Sequence, residues 1–233
     1  MTLPRWGTAP SVRGASVCRM GTSRGFDRLV FFTDAVTAIA ITLLILPLVD
    51  LVPEYASQHG ATVAGFFRDY WTQIWAFALS FVIIGRLWLA NHHTLEPAER
   101  QSPLLLGLSL AWAFTIVVLP LPTALIATLD ADRAGIAFYI GTMTASSLLL
   151  TAISWEVYRR PELGGDDRTA MLVSLYGVGS TAVAFVLALI VALIFPSLGL
   201  YPLLLLLVTI PLDWVVKPRL RARSRNVADT PRG

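Results

Sequence analysis

The sequence is poor in charged residues, and it contains a single cysteine. Only 14% of its 233 residues are Asp, Glu, Lys or Arg, whereas soluble domains carry about 25%. Hydrophobic residues make up 55% of the chain, so too few polar side chains remain to cover the surface of a soluble protein of this size. The composition therefore excludes an ordinary soluble domain, and the lone Cys18 excludes an intrachain disulfide.

Other absences narrow the possible functions. Lys217 is the only lysine, and the arginines lie mainly between apolar blocks or at the two ends of the chain, a distribution that indicates membrane topology and not nucleic-acid binding. The sequence has no nucleophile elbow, phosphate-binding loop or cluster of metal ligands. We therefore expect no enzymatic activity, no cofactor, no metal and no nucleic-acid partner.

Apolar blocks of about 20 residues are what the sequence has in abundance, and such a block crosses a hydrocarbon layer of ~30 Å. Backbone groups in lipid must be satisfied within the segment, so each block is predicted to be a helix. Pro120 and Pro122 are predicted to bend the third helix. The predicted fold class is an all-α membrane protein with six transmembrane helices per chain, at 29–49, 72–90, 104–127, 134–155, 169–195 and 198–216.

The basic residues predict the orientation of these spans. With the N-terminus in the cytoplasm, fifteen Lys and Arg residues fall on the cytoplasmic side, and only Arg68 and Arg133 fall outside. Both termini are therefore predicted to be cytoplasmic, and Arg86 to reach the interface from within the second span. Residues 1–27 are predicted to be a disordered basic tail, 28–216 the transmembrane domain, and 217–233 a basic cytoplasmic tail.

The first span carries an apolar stripe formed by Ile39, Leu43 and Leu46. At ~100° per residue these side chains lie on one narrow face of a helix. Two interpretations follow from this pattern: the stripe faces lipid or packs in the bundle, or it lines a pore and closes it by excluding water. Helical spacing alone favours the first interpretation, since every apolar helix offers such a stripe.

A carboxylate and two histidines lie near the predicted cytoplasmic ends of the first two spans. Asp34 is costly within a span, and the interpretation that we favour is an interfacial anchor or a structural hydrogen bond to a neighbouring helix, ahead of a proton carrier. His92 and His93 are adjacent and point about 100° apart, with no third ligand nearby. They are predicted to join an interhelical polar network that Arg28 and Asp34 also reach.

The stretch from Arg28 to Asp34 resembles a known signature. Arg28-x-x-x-Phe32-Thr33-Asp34 is similar to the R-x-x-x-F-S-D signature in the first helix of the transmembrane protein 175 family, the endosomal and lysosomal potassium channels and their bacterial relatives. Thr33 replaces serine and keeps the hydroxyl. The run 35–46, the Trp88-x-x-Asn-His92-His93 pattern and the Leu-Pro-Leu-Pro-Thr-Ala-Leu pattern at 119–125 also resemble that family, and the resemblance extends over about 24–216.

The resemblance implies a structure and a function that spacing does not give. It implies a homotetramer in the bacterial inner membrane whose first helices surround an ion path, and it reverses the preference for the stripe from lipid contact to pore lining. It implies that Ile39, Leu43 and Leu46 form the pore constriction and that Thr42 is linked to potassium preference. It also implies a structural network that positions the first helix, formed by Arg28, Phe32, Thr33, Asp34, His92 and His93.

The expected function is therefore a potassium-preferring cation channel that also admits other monovalent cations and has the lipid bilayer as its partner. Two alternatives stay open at this point. A proton-coupled secondary transporter would use Asp34 and the histidines, although no internal repeat typical of such carriers is visible. A non-conducting membrane scaffold would show no ion flux at all.

Overall fold

The computed structural model describes residues 23–96, 98, 102–129, 133–160, 163, 168–195 and 201–204. Almost all of them are helical, and five helical segments are long and apolar enough to cross a membrane. The chain is therefore a multi-pass, all-α membrane protein. The helices are α1 (Ser23–Leu43), α2 (Leu46–Ala56), α3 (Val63–Asp69), α4 (Trp71–Leu95), α5 (Pro103–Val118), α6 (Pro120–Thr128), α7 (Arg133–Arg159) and α8 (Arg168–Ile194).

The first span consists of α1 and α2, the second of α4, and the third of α5 and α6. The start of α1 at Ser23 makes residues 23–27 of the predicted disordered tail helical, because Phe26 is buried in the core and holds this turn in place. The third span is interrupted at Leu119, directly before Pro120, at the place where a bend is predicted. The predicted sixth span, 198–216, lies outside the described residues except for 201–204, which form a short 3₁₀ turn.

Helix α7 lies at the centre of the bundle and packs against α8, α5, α4 and α6. Trp112 of α5, Tyr139 of α7 and Phe185 of α8 are among the largest fully buried side chains of this core. Helix α1 packs at the side of the bundle against α5 and α4. This arrangement leaves the remaining face of α1 without a neighbour in the described chain.

Threonine hydroxyls inside the bundle are mostly satisfied by the helix that carries them. Thr142 donates to the carbonyl oxygen of Phe138 at 2.8 Å, and Thr144 donates to that of Ile140 at 2.7 Å. Thr37 and Thr123 make the same bond to the carbonyl four residues earlier. Such a hydroxyl can be buried among apolar side chains, because its donor is already hydrogen-bonded.

Candidate functional site

Helix α1 has one packed face, which holds it against the bundle. Leu29, Thr33, Thr37 and Ala40 recur at helical spacing and are all buried, as is Leu44 directly after the helix. The hydroxyl of Thr33 donates to the carbonyl oxygen of Val30 at 2.9 Å. The signature threonine therefore lies in the packed face, where its small side chain lets α1 approach its neighbours closely.

The opposite face of α1 is exposed and carries the predicted constriction. Ile39, Leu43 and Leu46 are 59%, 40% and 48% exposed, and Phe32 continues this face by about two turns. Thr42 is also exposed, and its hydroxyl donates to the carbonyl oxygen of Ile39 at 2.7 Å. Because that bond uses only the hydrogen, the Thr42 oxygen keeps its capacity to accept on this free face.

The first span is interrupted at Leu44 and Ile45, within the predicted stripe. Pro47 lacks the N–H that would bond to the carbonyl of Leu43, so the helical ladder stops there and restarts as α2. Ile39 and Leu43 consequently belong to α1, whereas Leu46 belongs to α2. Of the eleven residues of α2, Leu48 is the buried one.

Asp34 connects α1 to the second span. The indole Nε1 of Trp88 on α4 donates to Asp34 Oδ1 at 2.8 Å. This bond agrees with the interpretation of Asp34 as a structural hydrogen-bond acceptor for a neighbouring helix. Trp88 was recognised in the sequence as part of the family pattern, but its spacing gave no sign that it is the partner of Asp34.

The other signature residues lie around this connection. Arg28 is exposed on the same side of α1 as the stripe. His92 lies one turn after Trp88, with its ring 6.0 Å from the indole, while the His93 Nδ1 lies 3.5 Å from Glu96 Oε2. The structure thus brings Trp88 and His92 together at the Asp34 end of α4, and the wider network of signature residues stays a prediction.

A hydroxyl cluster that the sequence analysis did not identify joins three helices next to the break in the third span. Ser80 of α4 lies 2.7 Å from Tyr139 Oη on α7 and 3.0 Å from Thr123 Oγ1 on α6. The pattern at 119–125 offered a signal only in placing a threonine directly after the prolines. Both the N–H and the hydroxyl of Thr123 donate to the carbonyl of Leu119.

A cavity of about 280 Å³ lies on another side of the bundle. It is bounded by α4, α7 and α8, and its wall includes Arg86, Ser147 and Leu203. No residue of α1 lines it, so this cavity is separate from the face that carries the predicted constriction.

Comparison with known proteins bears on this arrangement. The family model of the endosomal/lysosomal potassium channel TMEM175 matches residues 28–120, which include the signature, the Asp34–Trp88 pair and the third span as far as its break at Leu119. A protein named as a potassium channel from Streptomyces collinus is 34% identical over 140 residues, a match that spans 58% of this chain and 66% of the relative. The match thus falls just short of two thirds of the relative's length.

The fold has a counterpart among solved structures. The crystal structure of a lysosomal potassium-selective channel TMEM175 homolog from Chamaesiphon minutus matches with a TM-score of 0.59 at 19% sequence identity. The match covers 86% of this chain and 98% of that one. Over residues 28–120 the chain is thus similar in sequence to the TMEM175 family, and its fold is that of the solved TMEM175 homolog.

Proposed function

We propose that the protein is a potassium-preferring cation channel, a homotetramer in the bacterial inner membrane, with six helices per chain and both termini in the cytoplasm. The observation that carries this proposal is the free apolar face of α1, which lies opposite the face that packs on the bundle. The match to the TMEM175 family model and the names of the relatives support potassium as the ion.

The free face supplies a constriction when four copies meet around a symmetry axis. Rings of Ile39, Leu43 and Leu46 offer no hydrogen bonds to water or ions, so a narrow passage between them dries and blocks conduction. A small outward movement of the helices lets water and cations enter. The break at Leu44 and Ile45 allows Leu46 to move separately from the other two rings.

The selectivity of such a pore is modest. Apolar rings do not replace the hydration shell of a bare ion, so Thr42, with its exposed hydroxyl next to the ring of Leu43, is the residue that we assign to the preference for potassium. The predicted outer loops carry five acidic and two basic residues. Four chains would therefore concentrate cations at the outer mouth.

The signature residues hold α1 in register for this role. The Asp34–Trp88 hydrogen bond fixes α1 against α4, and Thr33 packs between the helices. Arg28, Phe32, His92 and His93 complete this network around the same end of the first two spans. In this network polar side chains position α1. The proposed channel function needs no enzymatic step.

The test is ion flux through the purified protein in liposomes. Ile39→Asn places a polar side chain in the constriction and is expected to raise potassium flux about tenfold or more, since it favours water in the passage. Val183→Asn is the matched control, because Val183 is 60% exposed near the middle of α8, against 59% for Ile39. The control should leave the flux unchanged.

Other outcomes separate the alternative functions. Equal flux for the wild type and Ile39→Asn contradicts the constriction. Flux that saturates with concentration or requires a proton gradient indicates a secondary transporter, and the absence of flux from all three proteins indicates a non-conducting scaffold.

A further inference from the structure

A cluster of aromatic rings joins the end of α2 to the start of α4. The Tyr55 ring lies 5.4 Å from Phe66 and 5.9 Å from Tyr70, with interplanar angles of 75° and 79°, which are edge-to-face contacts. The Phe66 and Tyr70 rings are themselves 4.9 Å apart. Such pairs favour association beyond the contribution of buried area, so this aromatic clamp, Tyr55 with Phe66 and Tyr70, attaches α2 to the segment that precedes the second span.

The backbone around the clamp is arranged to bring these rings together. Gly60 adopts a φ of +81°, which a glycine takes without strain, and turns the chain after α2. Thr62 then caps α3 by accepting from the N–H of Gly65 at 3.1 Å. A Cβ at Gly65 would collide with the Tyr55 hydroxyl, so the close approach of Tyr55 to α3 requires glycine at this position.

Beside the clamp residues, α3 presents apolar side chains that are exposed. Val63 and Phe67, one turn apart, are 77% and 54% exposed, and Trp71 follows at the start of α4 with a similar exposure. Arg68 and Asp69 lie on other sides of this short helix. The exposed apolar residues therefore form a continuous strip, and α3 is amphipathic.

The ends of the spans fix the depth of this strip in the membrane. The apolar block of the first span ends at Val49, before Asp50, and that of the second begins directly after Trp71. We therefore expect Tyr55, Tyr70 and Trp71 near the level where the hydrocarbon ends, at which Tyr and Trp are enriched in membrane proteins. An apolar strip at that level meets the boundary between headgroups and acyl chains.

We propose that α3 lies in the membrane–water interface, with Val63, Phe67 and Trp71 against lipid, and that the aromatic clamp makes the position of α2 follow the thickness of the bilayer. Helix α2 carries Leu46, is separated from α1 by the break at Leu44 and Ile45, and has little buried surface of its own. A change in membrane thickness therefore moves Leu46 through α3 and Tyr55, while α1 stays on the bundle. This regulatory role rests on the proposed channel function, whereas the interfacial position of α3 does not.

The first experiment measures depth without reference to conduction. In a Cys18→Ser background, nitroxide labels are attached at Phe67→Cys, at Gln58→Cys in the exposed turn, and at Val183→Cys in the middle of α8. The relative access of oxygen and of a water-soluble nickel reagent gives the depth of each label in phosphatidylcholine vesicles. The Phe67 label is expected between the other two. A Phe67 label as accessible to nickel as the Gln58 label, or shielded from both reagents by another protein surface, overturns the interfacial position.

The second experiment measures flux in short-chain and long-chain phosphatidylcholine. Wild-type flux is expected to differ about fivefold between the two lipids, because a mismatch between span and bilayer carries a free-energy cost for every Å. Gly65→Ala, which displaces Tyr55, should reduce this ratio to near one. Gly85→Ala on α4, where an added Cβ meets nothing within 4 Å, is the matched control and should keep the wild-type ratio.

A second variant guards against misfolding of Gly65→Ala. Tyr55→Ala removes the ring from the clamp without adding atoms and should flatten the ratio in the same way. Equal wild-type flux in the two lipids, or a wild-type flux ratio in both variants, overturns the regulatory role but leaves the channel proposal intact. If no variant conducts in either lipid, the channel proposal and the regulatory role fail together, and the spin-label depths alone decide the position of α3.

Discussion

Helix α1 and helix α7 are both apolar spans, yet they differ in how much of their surface the protein covers. Half of the residues in the most apolar window of α7 are buried, against 17% in that of the first span. Helix α7 is surrounded by α8, α5, α4 and α6, whereas α1 is held from one side. The difference separates a helix that stabilises the bundle from a helix whose free face is available for function.

Polar residues follow the same division. In α7, Tyr139 and the threonines serve packing, since their hydroxyls bond to Ser80 or to their own helix. In α1, Asp34 is held by one side chain of the adjacent span, at the edge of the packed face. Substitutions in α7 should therefore change stability, and substitutions on the free face of α1 should change conduction.

The largest expected effect comes from a matched pair of alanine substitutions. Ile140→Ala in the fully buried face of α7 should lower the free energy of unfolding by about 2–5 kcal/mol, because the packing contacts are lost and a cavity remains. Ile39→Ala on the free face of α1 should lower it by less than about 1 kcal/mol and should raise ion flux. Unfolding by sodium dodecyl sulfate in mixed micelles measures the free energy of unfolding of both variants. Equal losses in the two variants would remove the distinction between the two helices.

A smaller effect is expected at the connection between α1 and α4. Trp88→Phe keeps an aromatic ring and removes the donor to Asp34, which should lower the free energy of unfolding by about 1.5 kcal/mol, the low end for a bond to a charged group, since the pair is partly exposed. Trp75→Phe, another exposed tryptophan of α4, is the control. A Trp88→Phe protein as stable as its control would mean that this bond does not hold α1.

The smallest expected effect concerns the hydroxyl cluster beneath the break in the third span. Tyr139→Phe removes one hydroxyl from the Ser80–Thr123–Tyr139 cluster and should lower the free energy of unfolding by about 0.6 kcal/mol, the average for interhelical hydrogen bonds in a membrane. Tyr176→Phe, on the exposed side of α8, should have no effect in the same assay. A loss above about 2 kcal/mol would show that α7 depends on polar contacts more than on packing.

Much of the helical layout could be predicted from the sequence, because the hydrocarbon layer sets both the length and the hydrogen bonding of a span. The predicted second span began at residue 72 and α4 begins at Trp71, while the proline pair gave the break at Leu119. The break at Leu44 and Ile45 was not predicted, although Pro47 is visible. The short helix α3 was also not predicted. It has only seven residues, and the prediction of spans depends on apolar blocks of about 20 residues.

The candidate site could be located from the sequence, but its contacts could not. Helical spacing placed Ile39 and Leu43 on one face of the first span, and both are exposed in the structure. The partner of Asp34 depends on how α1 and α4 rotate against each other, which no local pattern records. Arg28 and the histidines were the predicted neighbours of Asp34, and Trp88 is the residue that donates to its carboxylate.

The threonines that bond to their own helix have a consequence for how the protein is made. Thr37, Thr142, Thr144 and Thr151 each donate to a carbonyl of the preceding turn, so their hydroxyls are satisfied as soon as the helix exists. A ribosome-bound chain can therefore release such a segment into lipid before its neighbours have been synthesised. Ser80 and Tyr139 instead depend on partners in other helices. They form their hydrogen bonds only after α6 and α7 have been synthesised.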